Sequence, residues 1–156
     1  RPAIAPRISL ILPSGNDEKG LGVGSYGTQF NLPISKIVSD RITLHGNAGL
    51  TRYFDVQGQS PTSYLLGGSA VVAVNRNFNL MLEGLHEWTE NVNDVGAVER
   101  ERSFTLSPGA RYALNFDGAT QVVLGVAAPI RFVGDKREYG AFFYLSIEHS
   151  VLSSAK

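Results

Sequence analysis

Residues 101–116, with the sequence ERSFTLSPGARYALNF, decide the fold class, because apolar and polar side chains alternate along them. One set of alternate positions carries Phe104, Leu106, Ala110, Tyr112 and Leu114. The other set carries Ser103, Thr105, Ser107, Gly109 and Arg111. Successive side chains of a β-strand point to opposite faces of its sheet. The segment therefore predicts one long strand with an apolar face and a polar face.

The same alternation recurs along the whole chain, in about eight segments of strand length or longer, without a convincing amphipathic helix. The segments are residues 4–12, 24–34, 41–54, 63–75, 78–89, 101–116, 119–131 and 138–150. A length of 156 residues fits one domain, and no change of composition divides it. We therefore expect residues 1–156 to form a single all-β domain.

The connections between these segments alternate between short and long. The short ones are Ser35–Asp40, Asn75–Asn77 and Asp117–Gly118. The long ones are Pro13–Val23, Asp55–Thr62, Glu90–Arg100 and Phe132–Arg137. Up-and-down outer-membrane barrels have short turns on one side and longer loops on the other. The pattern predicts a closed antiparallel up-and-down barrel of about eight strands, with both termini on the short-turn side.

Alternation alone does not say whether the apolar face points inward, as in a soluble barrel, or outward, as in a membrane barrel. Small uncharged residues dominate the polar faces, and the long strands suit a bilayer crossing. Aromatic residues also lie near strand ends, as in interfacial girdles. On the loop side these are Tyr26, Phe54, Tyr64, Trp88, Phe104, Phe132 and Tyr139, and on the turn side Phe30, Phe78, Tyr112 and Phe116. We predict a transmembrane β-barrel; a soluble eight-stranded ligand-binding barrel is the alternative.

The composition narrows the classes of function. Fourteen basic and fourteen acidic residues give no net charge, which argues against a nucleic-acid partner. There is no cysteine for a thiolate metal site, and neither a metal-ligand cluster nor a phosphate-binding glycine loop is visible, so no cofactor or metal is expected. The start Arg1-Pro2-Ala3-Ile4 lacks the apolar core of a signal peptide, so we expect a mature, trimmed or partial chain.

The polar faces carry charged and aromatic side chains that a barrel would enclose. The candidate interior residues are Arg7, Arg41, His45, Glu83, Glu87, Glu101, Arg111, Arg131, Glu138, Tyr144 and Glu148. Unpaired charges in a narrow interior are costly, so we expect mutual pairing, with a structural polar filling favoured over a selectivity lining. Closure of the barrel further predicts that Arg7 and Glu148 meet where the first and last strands pair.

An enzymatic function is not expected. Glu148-His149-Ser150 contains the residue types of a catalytic triad, but neighbouring residues on a strand point to opposite faces and cannot converge on one site. His45 lies beside Thr43 and Asn47 on the polar face, where a hydrogen-bonded histidine is favoured over a metal ligand. His86 lies two residues before Trp88, hence on the same apolar face, and is interpreted as an interfacial residue.

Four short motifs carry a family resemblance. They are Leu12-Pro13-Ser14-Gly15-Asn16, Gly20–Gly24, Leu32-Pro33-Ile34-Ser35-Lys36 and His45-Gly46-Asn47-Ala48-Gly49. In these the chain resembles the outer-membrane transporter-like family labelled "MetA-pathway of phenol degradation". The resemblance implies an outer-membrane barrel for passage of aromatic or other hydrophobic compounds, and it supplies no catalytic residues. We therefore expect passive transport or an envelope structural role, including as a subunit of a larger envelope complex, in contact with outer-membrane lipid and lipopolysaccharide.

Overall fold

The chain folds into one antiparallel sheet in a computed structural model that describes residues 1–15, 19, 21–116 and 120–149. Its eleven strands are β1 (Ala3–Ile4), β2 (Arg7–Ile11), β3 (Gly27–Ser39), β4 (Ile42–Tyr53), β5 (Thr62–Ala73), β6 (Phe78–Val92), β7 (Val98–Phe116), β8 (Thr120–Ala127), β9 (Ile130–Val133), β10 (Lys136–Tyr139) and β11 (Phe142–His149). Within the described residues, no helix has the length and apolar character needed to cross a bilayer.

The order across the sheet is β1-β3-β4-β5-β6-β7-β8-β11, with β2 also on β3, β9 on β7, and β10 on β9. Each long strand thus pairs with its neighbours in sequence, which confirms the predicted up-and-down antiparallel arrangement. The strand count is eleven instead of about eight, because segments 4–12, 119–131 and 138–150 are each divided into two strands. Pro6 and Pro129 lie at two of these breaks, and proline has no amide to donate to a ladder.

The sheet is open, in contrast to the closed barrel expected from the sequence. Over the described residues, β1 and β2 pair only with β3, while β10 and β11 pair only with β9 and β8. Arg7 and Glu148 lie on strands at opposite edges of this sheet. The predicted ion pair between them is therefore not formed in this structure.

The connections separate into a turn side and a loop side, as predicted. On the turn side, Asp40-Arg41 joins β3 to β4, and Asn75 Oδ1 accepts the amides of Asn77 and Phe78, at 2.9 Å each, before β6. The predicted turn Asp117–Gly118 lies outside the described residues. On the loop side, the expected longer loop Phe132–Arg137 is instead a tight Gly134-Asp135 turn, which Gly134 permits with its φ of 55°.

The apolar face of the sheet is more exposed than the polar face. In a soluble sheet the apolar face is the buried one. Along β8, Leu124 on the apolar face is 47% exposed, whereas Val123 on the polar face is 9% exposed. Along β5, Leu66 on the apolar face is 56% exposed while its neighbours Leu65 and Gly67 are partly buried. The most buried polar side chains, Asn31 and Ser103, also lie on the polar face. The polar face is therefore the sheltered one.

Candidate functional site on the polar face

Strand register places several of the candidate residues in rows across the polar face. Glu83 of β6 lies between Ser69 of β5 and Ser107 of β7. Gly125 of β8 lies between Arg111 of β7 and Tyr144 of β11. Directly paired residues share a face, so each row lies on one face. Ser107 and Arg111 are four residues apart on β7 and point to the same side, so both rows belong to the polar face.

A groove of about 450 Å³ connects these rows, and its lining includes Glu83, Ser107, Arg111, Gly125 and Tyr144. A Cβ atom at Gly125 would stand 3.4 Å from Cβ of Tyr144, so the tyrosine lies beside an open position on the sheet. Within the described residues, neither Glu83 nor Arg111 takes part in an ion pair. The groove thus offers one free carboxylate, one free guanidinium and an aromatic ring to a polar solute.

A second groove of about 300 Å³ lies on the polar face nearer β3, and its lining includes Ser35, His45, Asn47, Ser69 and Glu83. His45 Nδ1 is 2.8 Å from Ser35 Oγ, a hydrogen bond in keeping with the expected structural histidine. Asn47 Oδ1 is buried and has no hydrogen-bond partner within the described structure. Glu83 lines both grooves and therefore occupies the boundary between them.

Among the described residues of the polar face, the mutual pairing expected for the interior charges forms only around Arg131, at the loop side. Arg131 donates to Glu101 Oε1 at 2.6 Å and to Glu138 Oε2 at 3.3 Å. Close by, Ser103 Oγ donates to Glu87 Oε2 at 3.3 Å. One guanidinium between two carboxylates fixes three strands, β7, β9 and β10, relative to one another.

The other candidate residues lie apart from the grooves. Arg41 lies in the two-residue turn between β3 and β4, directly before β4, and its carbonyl accepts the Ala73 amide of β5 at 2.7 Å. Arg7 and Glu148 occupy the two edge strands. Ser150, the last residue of the possible triad, lies outside the described residues. No group of three or more His, Asp or Glu side chains is placed to hold a metal ion in the part of the chain that is described.

The aromatic residues predicted for the membrane interfaces occupy the apolar face or its ends. On the loop side, Tyr64 pairs in register with Trp88, His86 with Phe104, and Phe104 with Phe132. On the turn side, Phe78 pairs with Tyr112, and Phe116 pairs with Thr120. Phe30 was predicted for the turn side, but it lies near the loop-side end of β3, where it pairs with Leu50. Tyr26 and Phe54 lie just beyond the strand ends and are joined by a 2.8 Å backbone hydrogen bond. Tyr139 pairs with Ile130, below the level of Phe132.

Sequence reasoning missed a basic rim above the aromatic residues on the apolar face. Glu90 accepts the Thr62 amide at 3.0 Å and Arg100 Nε at 2.9 Å, and Arg102 pairs in register with Trp88. Glu90 lies two positions beyond Trp88 and outside the apolar stretch. The Thr62 amide, followed by Arg100, holds the pKa of Glu90 below its usual value. The sequence did contain a signal for this rim. On the apolar face, Trp88 is followed by the charged Glu90, and Phe104 is preceded by Arg102 and Arg100.

Comparison with known proteins identifies the family over most of the chain. The model of the family described as "Putative MetA-pathway of phenol degradation" matches residues 1–140, well beyond the motifs of the first third. No curated protein and no solved structure shows significant similarity to the chain. The continuous match from the first strand to the β10 hairpin shows that the chain belongs to the family described as the MetA-pathway of phenol degradation.

Proposed function

We propose that the protein is a transmembrane β-barrel of the bacterial outer membrane whose apolar face meets lipid and whose polar face lines the interior. The observation that carries the proposal is the exposure of the apolar face: Leu66, Leu124 and Leu145 are 56%, 47% and 63% exposed. A soluble sheet covers such a face, because burial of apolar surface is the main driving force of folding. Lipid provides that cover for a membrane barrel.

The height of the apolar face suits a bilayer. From Phe78 to Trp88, β6 rises about 33 Å along its axis at about 3.3 Å per residue, which a tilt of about 40° reduces to about 25 Å. Between these residues the apolar face of β6 carries no Lys, Arg, Asp or Glu. This height corresponds to the apolar band of about 25 Å found on outer-membrane barrels.

Closure of the sheet is part of the proposal. In hydrocarbon, water cannot replace a missing hydrogen-bond partner. Each unpaired amide or carbonyl on an edge strand therefore costs roughly 2–7 kcal/mol. We infer that the β1–β2 edge pairs with the β10–β11 edge in the membrane. Each divided pair of strands then acts as one crossing, which gives about eight crossings.

The proposed role is passive transport of small molecules, including aromatic or other hydrophobic compounds, without enzymatic chemistry. The family description links the chain to phenol degradation, and the polar grooves present Glu83, Arg111 and Tyr144 to a solute. A structural role within a larger envelope complex is the second candidate, favoured by the two sheet edges available for pairing with another protein.

Membrane insertion can be tested with Trp88, the sole tryptophan of the sequence. The protein is folded into phosphatidylcholine vesicles with and without bromine on the lipid acyl chains, which quenches nearby tryptophan. We expect strong quenching by the brominated lipid and heat-modifiable mobility on gels, since Trp88 lies on the apolar face. A chain that stays monodisperse in buffer without detergent and shows no quenching contradicts the proposal and favours the soluble ligand-binding barrel.

A further inference from the structure

We propose that the loop-side rim of the apolar face binds the phosphate-bearing headgroup of an anionic membrane lipid. This inference rests on the proposed membrane insertion and adds a specific lipid site to it. The site is a groove of about 500 Å³ whose lining includes Thr62, Tyr64, Trp88, Glu90, Arg100 and Arg102. We call it the rim groove.

The rim groove has two chemically different levels. Tyr64 and Trp88 pair in register on the apolar face and form its lower part. Arg102 lies in this same row, opposite Trp88, and the upper row begins one step farther toward the loops, where Arg100 lies opposite Glu90. Aromatic rings suit the zone between acyl chains and headgroups, while arginine binds phosphate through several N–H donors. The lower row carries the aromatic rings with Arg102, and the upper row carries Arg100 with Glu90. Both arginines thus lie at or above the level of the aromatic rings, as a headgroup lies above the acyl chains of a lipid.

The charge of the rim groove favours an anion. Two carboxylates line the groove with Arg100 and Arg102: Glu90, and Glu101, which Arg131 holds at 2.6 Å. Arg52 on β4 also lies near enough to Glu90 to contribute to its lowered pKa. Glu90 takes only Nε of Arg100, at 2.9 Å, which leaves the terminal guanidinium nitrogens available. Arg102 has no ion pair within the described residues. Because Glu101 is paired with Arg131, the three arginines Arg52, Arg100 and Arg102 are balanced only by Glu90, which leaves a net positive charge at the level where lipid phosphates would lie.

The site can be tested with the intact protein in vesicles, using Trp88 as the reporter. The protein is folded into phosphatidylcholine vesicles that contain an equal mole fraction of brominated phosphatidylglycerol in one sample and brominated phosphatidylcholine in the other. We expect quenching by the anionic lipid to exceed quenching by the zwitterionic lipid. Each arginine near an anionic surface contributes roughly a fivefold factor, so the Arg100→Gln/Arg102→Gln double variant should lose about 25-fold of the preference.

Arg76→Gln is the matched control, because Arg76 lies in the turn before β6, at the end of the strands opposite to the rim groove. This substitution should leave the preference unchanged. The single variant Arg102→Gln is used if the double variant does not fold, as judged by heat-modifiable mobility, and it should lose part of the preference. Inorganic phosphate is added to vesicles of phosphatidylcholine alone as a further arm. A change of Trp88 emission there equal to that produced by phosphatidylglycerol would assign the groove to free phosphate and overturn the lipid site.

The outcomes separate this proposal from the membrane proposal. Equal quenching of the wild-type protein by the two brominated lipids, or an unchanged preference in the double variant, overturns the headgroup site and leaves membrane insertion intact. Absence of quenching by either lipid overturns membrane insertion, and the headgroup site with it.

Discussion

His86 and Trp88 stack face to face on the apolar face of β6, with ring centroids 4.1 Å apart and 7° between the ring planes. The two residues are separated by one position in the strand and therefore point to the same side. Phe104 meets the His86 ring edge-on, at 6.3 Å between centroids. These contacts hold the Trp88 ring between the strands at the loop side of the apolar face.

Removal of the stacked ring should loosen Trp88. We expect His86→Ala to lower the fluorescence anisotropy and weaken the near-ultraviolet dichroism of Trp88, since an aromatic pair contributes about 0.5–1.5 kcal/mol beyond its buried area. His45→Ala on the polar face is the control and should change neither signal. Identical anisotropy in the wild-type and His86→Ala proteins would show that the stack does not restrain the tryptophan.

A charge on the apolar face should impair insertion far more than the same charge on the polar face. Leu124→Arg should cost on the order of 2–4 kcal/mol, as arginine does near the bilayer midplane, whereas Gln121→Arg should be tolerated. Gln121 already lies on the polar face and donates to Asn115 Oδ1 at 2.7 Å. The measurement is urea-dependent folding into vesicles. Similar losses for the two variants would contradict the assignment of the faces.

The proposed closure brings together two edges that are separated in the open sheet. Cysteine pairs combining Ile8→Cys with Phe143→Cys, Leu145→Cys or Ile147→Cys test it in a chain that has no native cysteine. A disulfide requires Cα atoms within about 7 Å, so one pair should form an intramolecular bridge in vesicles.

Ile8→Cys with Val72→Cys is the control for this series, because Val72 lies on β5 in the middle of the sheet. Oxidation should leave that variant unbridged. Bridges that produce only a dimer on nonreducing gels would show that a second copy, and not the same chain, occupies the edge.

The charge cluster around Arg131 reports whether the polar face is enclosed. Removing one partner of a buried ion pair costs roughly 3–5 kcal/mol, whereas a solvated pair contributes about 0–1 kcal/mol. In the open sheet the side chains of Arg131, Glu101 and Glu138 are 35%, 44% and 61% exposed, as in a solvated pair. In the closed barrel that we propose, we expect Arg131→Gln to reduce the free energy of unfolding by the larger amount, because Glu101 and Glu138 lose their shared partner in an enclosed interior.

Arg137→Gln provides the comparison for Arg131→Gln from the same hairpin. Arg137 stands over the Phe132 ring at 5.7 Å on the apolar face, a contact that contributes about 0.5–1 kcal/mol at an exposed site. Urea titration of both variants in vesicles gives the two values. Equal small losses would mean that the Arg131 cluster faces open water.

A barrel of about eight crossings should conduct little, because its interior is just wide enough for side chains to fill. We expect planar-bilayer recordings of the wild-type protein to show no large steady steps. Glu83, Glu87, Arg111 and Tyr144 are the side chains that would fill the interior, so the proposed passage of a small molecule would need partner proteins, a wider barrel or a lateral route from the grooves. Porin-like conductance would contradict a narrow barrel and indicate a wider assembly.

The alternation in the sequence predicted the faces and the order of strands well, because both depend on local patterns. Leu124 and Leu145, assigned separately to apolar faces, pair directly in the structure. The end of segment 24–34 was wrong, because β3 extends five residues farther, to Ser39. The tight Gly134-Asp135 turn was missed because its charged neighbours suggested a loop.

The candidate site was less accessible to sequence reasoning than the fold. Pairing of Arg131 with Glu101 and Glu138 requires the register of three strands, which no single segment specifies. The basic rim was missed because Arg100 and Arg102 of β7 meet Glu90 and Trp88 only through the register of β6 with β7. Arg52 of β4 joins the Glu90 row through Thr62 of β5, with which it pairs and whose amide donates to Glu90.

The meander of neighbouring strands also sets the expected course of folding. From β3 to β8, each strand joins the sheet by closing a short connection to the strand before it, so most pairings form between residues near in sequence. Such local pairings form faster than those between distant segments. The proposed closure between β2 and β11 instead joins strands that are far apart in sequence. Its additional entropic cost is small, because the cost of loop closure grows by only about 0.6 kcal/mol per doubling of loop length. Hairpin-by-hairpin growth followed by a late closing step is the folding sequence that this topology favours.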